Sequence, residues 1–158
     1  MKNEGRHRVP AQGISGSGTV AMPLELQAVV CFGLAVPVAA RLRYHPNDPY
    51  AVYLDNHIDL DTPITWVFAR DLLAEGLIQW AGSGDVSVFP GGCDDPMSLF
   101  ISLGSEDGRV ALRAQTSLVK GFLACTERVV PFGSEQLHLD IDGLLHGLLR
   151  GGPPMPGD

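Results

Sequence analysis

From Met22 onward, apolar and polar positions alternate along the chain. Leu24, Leu26, Ala28, Val30 and Phe32 face one way, and Glu25, Gln27, Val29 and Cys31 the other. That period of two predicts a half-buried strand. Gly33 and Pro37 interrupt it, and Ala40, Leu42 and Tyr44 resume the alternation opposite Arg41 and Arg43. The segment His45-Pro46-Asn47-Asp48-Pro49 predicts a turn, because two prolines fix φ and Asn and Asp bond their own backbone. Ala51 to Ile58 reads as a third strand, in a hairpin with the second. After a second turn at Asp59–Pro63, Ile64, Trp66 and Phe68 share one face of a fourth strand.

The period then lengthens. Asp71 to Glu75 are good helix formers with an acid in the first turn, and Gly76 is placed to stop the helix. Gly82-Ser83-Gly84 predicts a turn, and Val86, Val88 and Phe89 open a fifth strand that ends at Pro90. Leu99, Ile101 and Leu103 mark a sixth strand, and Ser105-Glu106-Asp107-Gly108 a hairpin turn into a seventh through Val110 and Leu112. Leu118, Val119, Phe122, Leu123, Thr126 and Val129 recur at helical spacing, with Thr116 or Ser117 as N-cap. A short extended piece from Gln136 to Leu139 follows. Asp140 reads as the N-cap of a last helix through Leu144, Leu145, Leu148 and Leu149, ended by Gly151-Gly152-Pro153-Pro154.

About seven strands joined mostly by hairpins, with helices towards the C-terminus, predict an α+β fold with antiparallel sheet. So many strands call for two packed sheets, or one strongly curved sheet, sealed on one side by the helices. Residues 1–19 are polar and Gly/Ser-rich and read as a flexible arm, 20–150 as one domain, and 151–158 as a flexible tail.

Composition narrows the class. Of 158 residues 45% are hydrophobic and 18% charged, with 19 Gly and 12 Pro, which suits one turn-rich domain with a real core. Net charge is −7, and from residue 9 onward eight cations face 17 acids. A body that acidic repels a phosphate backbone, so non-specific nucleic-acid binding is disfavoured. No stretch approaches the roughly 18 apolar residues of a membrane span, and no apolar run follows the N-terminal cations as a secretory signal requires. The reading is a cytoplasmic protein without direct membrane insertion. Cys31, Cys93 and Cys125 are too widely spaced for a disulfide framework or a zinc site and read as reduced thiols, Cys31 and Cys125 partly buried.

Reactive motifs are scarce. Gly13-Ile14-Ser15-Gly16-Ser17 lacks the last glycine of a nucleophile elbow, and the lysines, Lys2 and Lys120, do not sit in a phosphate-binding loop. Catalytic and cofactor-binding residues are therefore not assigned. His57-x-Asp59-x-Asp61 and His138-x-Asp140-x-Asp142 could each present three ligands on one strand face. Asp is equally at home in the turn at Asp59 and Asp61 and at the helix start at Asp140, and no metal is assigned. Arg41, Arg43, Arg109 and Arg113, paired at spacing two beside Tyr44 and Tyr53, could line a track for single-stranded nucleic acid. That binding function is the alternative reading.

Asp48-Pro49-Tyr50-Ala51-Val52, followed by the run Trp66-Val67-Phe68-Ala69-Arg70-Asp71-Leu72-Leu73-Ala74-Glu75-Gly76-Leu77, resembles the SsgA-like sporulation and cell division proteins of actinobacteria. Gly84-Asp85-Val86, Gly121-Phe122-Leu123 and the ending from Asp140 to Leu149 also match. The resemblance spans about residues 20 to 150, with the SsgB-type members as the nearest branch. It implies a non-enzymatic role without cofactors: recruiting the tubulin-like protein FtsZ to the septum and promoting its polymerisation, together with an SsgA-type paralogue. It also implies a homotrimer and a topology like that of the Whirly single-stranded nucleic-acid-binding proteins. Within that frame Arg70, Asp71 and Glu75, leaving the sheet at a strand-to-helix corner, are the candidate partner-binding residues.

Overall fold

The computed structural model describes residues 14–15 and 18–150. The expected arm lies mostly outside the described residues, as does the tail at 151–158. Of the arm, Ile14–Ser15 forms a short strand, β1, paired with β2, and Thr19 already opens β2.

The long alternating segment forms β2 (Thr19–Cys31) and pairs with β3 (Leu34–Tyr44) in an antiparallel hairpin from Val20↔Tyr44 to Cys31↔Leu34. Gly33 makes its turn at φ 80°, a left-handed conformation that suits a residue without Cβ. Pro37, read as an interruption, lies within β3 opposite Gln27. It is tolerated because β4 (Ala51–Asn56) pairs with β3 only across Ala40–Arg43, leaving the proline on an open edge. Next come β5 (Ile64–Ala69), α1 (Arg70–Gly76), β6 (Val86–Pro90), β7 (Ser98–Ser105), β8 (Gly108–Gln115), α2 (Thr116–Val129) and α3 (Ile141–Arg150).

The strands form one continuous sheet in the order β5-β4-β3-β2-β8-β7-β6, instead of two packed sheets. The link is β2, which keeps β3 on one side and takes β8 on the other at Gln27–Val29. A strand of 13 residues is long enough to serve both halves, and the sheet curls around the core. Inward residues of β2 (Val20, Met22, Leu24, Leu26) share that core with Phe68 of β5, Val88 of β6 and Val119 and Phe122 of α2. Burying such side chains contributes about 1.5–3 kcal/mol each.

Three local expectations are corrected. The N-cap of α2 is Gln115, which makes no side-chain bond; the Thr116 N–H donates instead to Met97 O at 2.9 Å, so a loop carbonyl does the cap's work. The segment expected to be extended at Gln136–Leu139 is largely a 3₁₀ turn, Glu135–His138. Its Glu135 carboxylate is drawn inward, accepting from the Gly133 N–H at 2.8 Å and from Arg70. Asp140 does cap the last helix, its Oδ1 accepting from the Gly143 N–H at 2.8 Å. Cys31 is exposed rather than partly buried, because it sits at the hairpin's far end; Cys125 is half-buried.

Arg70 is the deepest charge in the molecule's described part. It is 1% exposed, ion-paired to Glu135 at 2.6 Å, and donates to Val130 O at 2.7 Å. The Tyr44 and Phe132 rings lie 4.9 and 4.1 Å from its guanidinium carbon. The Glu135 backbone N–H, the Arg70 guanidinium and the Gly133 N–H hold the Glu135 carboxyl below its usual 4.5. Because that folded value is depressed, the pair's stabilisation is complete above the usual carboxylate value and is lost as pH falls through the folded one. Glu135→Ala is expected to cost about 3–5 kcal/mol in urea unfolding at pH 7, since it strands a buried cation. The gap from the native chain should shrink as pH falls towards 3.

Gly76 sets how closely α1 can lie on β6, because a Cβ there would collide with Val88 Cβ and Cγ1. Gly76→Ala is therefore expected to destabilise by about 1–3 kcal/mol through overpacking, despite the better helix propensity of alanine. A thermal melt checks the sign: an unchanged or higher midpoint would show that the contact is slack.

Candidate protein-interaction surface

The corner from β5 into α1 has no loop. Ala69 is still extended and Arg70 is already helical, so the corner's direction depends on how Arg70 is held. Its N–H donates to Tyr50 O at 2.7 Å and its side chain runs inward to Glu135. Arg70 is thus a positioning residue rather than a group offered to a partner. Asp71 and Glu75, one helical turn apart, are exposed on the outer side of α1.

Just beyond them lie two apolar side chains that the sequence pattern did not single out, Ile78 and Trp80, 82% and 62% exposed. Trp80 is nevertheless fixed: its Nε1–H donates to Gly82 O at 2.9 Å, and its ring stacks on Phe89 with centroids 4.3 Å apart. Phe89 in turn stacks on Phe100 at 5.5 Å. The signal available in the sequence was an aromatic placed after the helix stop, outside any alternating run. A tryptophan already held in place has little side-chain entropy left to lose when a partner covers it.

The four arginines of the nucleic-acid alternative all stand on strands, but each is engaged. Arg41 and Arg43 converge on one carboxylate, Asp55, at 3.0 and 2.6 Å. Thr65 Oγ1 donates to it as well, at 2.7 Å. Arg43, Thr65 and Arg41 together hold the buried Asp55 carboxyl far below the usual range. Arg109 donates to Ser102 Oγ and Gly84 O, and Arg113 lies 3.8 Å from Asp95. Neither His57 with Asp59 and Asp61 nor His138 with Asp140 and Asp142 converges. Among the described residues, no three His, Cys, Asp or Glu side chains are placed to hold a metal ion. No described helix is long and apolar enough to cross a membrane.

Asp55→Asn is expected to release both arginines. Titration of the variant with a labelled single-stranded oligonucleotide at low salt should show tighter, salt-sensitive binding than the native chain. Unchanged binding would mean that Asp55 is not what neutralises this face.

The profile of the family described as Streptomyces sporulation and cell division protein, SsgA, matches residues 38–135. The chain is 41% identical over 131 residues to the sporulation-specific cell division protein SsgB of Streptomyces coelicolor, covering 83% of this chain and 96% of that protein. It is 44% identical over 115 residues to SsgB of Saccharopolyspora erythraea, covering 73% and 81%. In three dimensions it resembles the crystal structure of an SsgA-like sporulation-specific cell division protein from Thermobifida fusca. There the TM-score is 0.74 at 36% identity, over 85% of this chain and 98% of that one. An SsgB structure from work on longitudinal cell division in Streptomyces coelicolor superposes with a TM-score of 0.72 at 41% identity, over 77% and 95%. A profile match across most of the domain, relatives near 40% identity and a shared fold agree: the chain belongs to the SsgA family of sporulation and cell division proteins.

Proposed function

We propose that this chain is a non-enzymatic regulator of sporulation-specific cell division that recruits FtsZ to division sites and promotes its polymerisation during septation. It acts in the cytoplasm at the septum, alongside an SsgA-type paralogue, and without a cofactor. The observation that carries this reading is the corner itself. Asp71, Glu75, Ile78 and Trp80 are exposed on a helix and loop locked from beneath by Arg70, while Trp80 is held in a ring stack. Relatives named as sporulation-specific cell division proteins supply the biological setting. In this reading Asp71 and Glu75 touch the partner, and Arg70, buried beneath them, positions them.

Self-association into a trimer belongs to the same reading. It is supported by α3, whose Ile141, Leu145, Leu148 and Leu149 are exposed at helical spacing and ask for cover. The Whirly-like topology fits a curled antiparallel sheet with helices, but function resides in the surface rather than in the fold. The single-stranded nucleic-acid alternative is less well supported, since its arginines are neutralised by Asp55 and Asp95 or held by Ser102 and the Gly84 carbonyl.

Co-sedimentation tests the proposal. Adding the native chain to FtsZ with GTP should increase the pelleted polymer, and no increase would sink the reading. Trp80→Ala, and separately Asp71→Lys with Glu75→Lys, should weaken the effect about tenfold or more in half-maximal concentration, as loss of an interface anchor does. Variants that melt like the native chain yet promote pelleting equally would move the contact elsewhere.

A further inference from the structure

The two ends of the sheet are finished differently. Beyond β6 the chain returns at Ala81, which exchanges both backbone hydrogen bonds with Val88, at 2.8 and 2.9 Å, so that edge is closed. The overhanging part of β3 carries Pro37. β5 has neither device. It stands at the far end of the strand order, pairs only with β4 among the described residues, and holds no proline and no charge from Ile64 to Ala69. Edge strands are usually blunted by such residues, because a bare row of backbone groups is a template for another strand. The register says which groups are bare. The Arg70 N–H donates to Tyr50 O at 2.7 Å, which turns the even-numbered positions of β5 towards β4. The N–H groups of Thr65, Val67 and Ala69 and the C=O groups of Thr65 and Val67 therefore point the other way. No strand or side chain of the described residues pairs with them. All three residues are exposed, Val67 to 53%.

We propose that β5 is a strand-addition site: an extended segment of another protein, rich in β-branched residues and flanked by Lys or Arg, pairs with the free edge at Thr65, Val67 and Ala69. Donors and acceptors alternating along an edge are met by an extended backbone, which fixes the conformation of the occupant. Charge selects its sequence. The turn before β5 carries exposed Asp59 and Asp61, and α1 after it carries exposed Asp71 and Glu75. A second copy paired antiparallel through Val67 would set the Asp71 end of α1 against the same acidic turn in the other copy, acid on acid. A foreign strand with a cation at each end meets both acidic groups instead. On the inner side of β5 a cavity of about 310 Å³ lies between Trp66 and the end of the β7–β8 hairpin at Leu103, Asp107, Arg109 and Val110. It leaves room for the inward side chain of an added strand, the neighbour of Trp66. The site adjoins the corner at Asp71, but it specifies a mode of binding rather than a particular protein, and it stands whether or not FtsZ is the one bound.

The test is amide hydrogen exchange of the full chain, read by NMR, with the probe peptide acetyl-Lys-Val-Thr-Val-Thr-Val-Lys-amide. Saturating peptide should slow exchange of the Thr65, Val67 and Ala69 N–H groups at least tenfold and leave Trp66 and Phe68, already in the ladder to β4, unchanged. With its valines turned inwards, the threonine N–H groups of the peptide face β5. N-methylation of both threonines should then weaken binding about tenfold or more, the loss of two neutral hydrogen bonds, relative to N-methylation of the valines. Val67→Pro, with its melting point checked, removes one edge N–H at a position where proline is tolerated and should lose binding by a similar factor. If that variant melts early, the methylated pair decides the matter on the native chain. A peptide with Glu in place of both Lys should bind about threefold or more weakly at low salt. Equal binding of the two methylated peptides, or protection confined to other residues, would overturn strand addition. Equal binding of the Lys- and Glu-flanked peptides would overturn the basic partner. Protection of Thr65 and Val67 that rises with the concentration of the chain alone would overturn the foreign strand, by showing that a second copy takes the edge. FtsZ is absent from this assay, so its failure leaves the co-sedimentation result untouched.

Discussion

The burial of Arg70 is the constraint on which the rest of the structure depends. A guanidinium taken fully out of water costs several kcal/mol unless its charge and donors are met. Here they are met by elements far apart in sequence: the Tyr44 ring at the end of β3, Thr126 and Val130 at the end of α2, and Phe132 and Glu135 beyond it. Arg70 opens α1, so a single side chain fixes the corner, the C-terminal end of α2 and the turn that follows it. Arginine suits this place better than lysine, because its planar fork can stack on two rings while donating in its own plane. Its Nε remains without a partner, so the arrangement is held by ring stacking and the Glu135 pair rather than by full satisfaction of every donor.

The same accounting explains how the outer face of the sheet behaves. Asp55 is nearly as buried as Arg70, and it gathers Arg41, Arg43 and Thr65 around one carboxylate. Cations spent on a neighbouring acid have little field left for a distant phosphate. Asp71 on α1 has no such partner cation in the ion pairs of the described residues and stays exposed. Four of the arginines are engaged within the sheet, while Asp71 and Glu75 keep exposed negative charge at the corner. Electrostatic complementarity sets which partners can approach, so this sorting bears on function more directly than the fold does.

The strands were legible because their pattern is local. Leu24 to Ala28, Trp66 to Phe68 and Leu99 to Leu103 each show their inward face in the residue alternation alone, whereas Val30, Phe32 and Ile64 continue the same alternation and stand in solvent, and Asp140 announces its helix by the capping chemistry of its side chain. What was not legible depends on distant partners. Nothing near Arg70 in sequence reveals Glu135, 65 positions later, so an inward lock reads as an outward charge. Pro37 reads as a break because its missing N–H matters only if a strand lies on that side, and β4 stops short of it. The single sheet is hidden for a similar reason: alternation tells which face of β2 is buried, but not that β8 joins its other edge. The arginines were placed on the correct strands, yet their engagement with Asp55 and Asp95 is a matter of register, which composition does not carry.

The uneven filling of the sheet's interior follows from where cohesion is concentrated. At one end Leu26, Leu42, Leu54, Phe122 and Val119 are fully buried, and the Arg70 lock ties three segments together. The other end is then free of the duty to close the core, and it can keep Ile64, Val110 and the hairpin tip in solvent. Such surface would be a liability if strands there were loosely registered, because slipped edges pair with one another. Here the β2–β3 ladder runs unbroken from Val20↔Tyr44 to Val29↔Ala35, so the exposed hairpin is an extension of the best-paired element in the molecule. Cohesion concentrated in the buried core and in the long ladder is what leaves the hairpin tip free to stand in solvent.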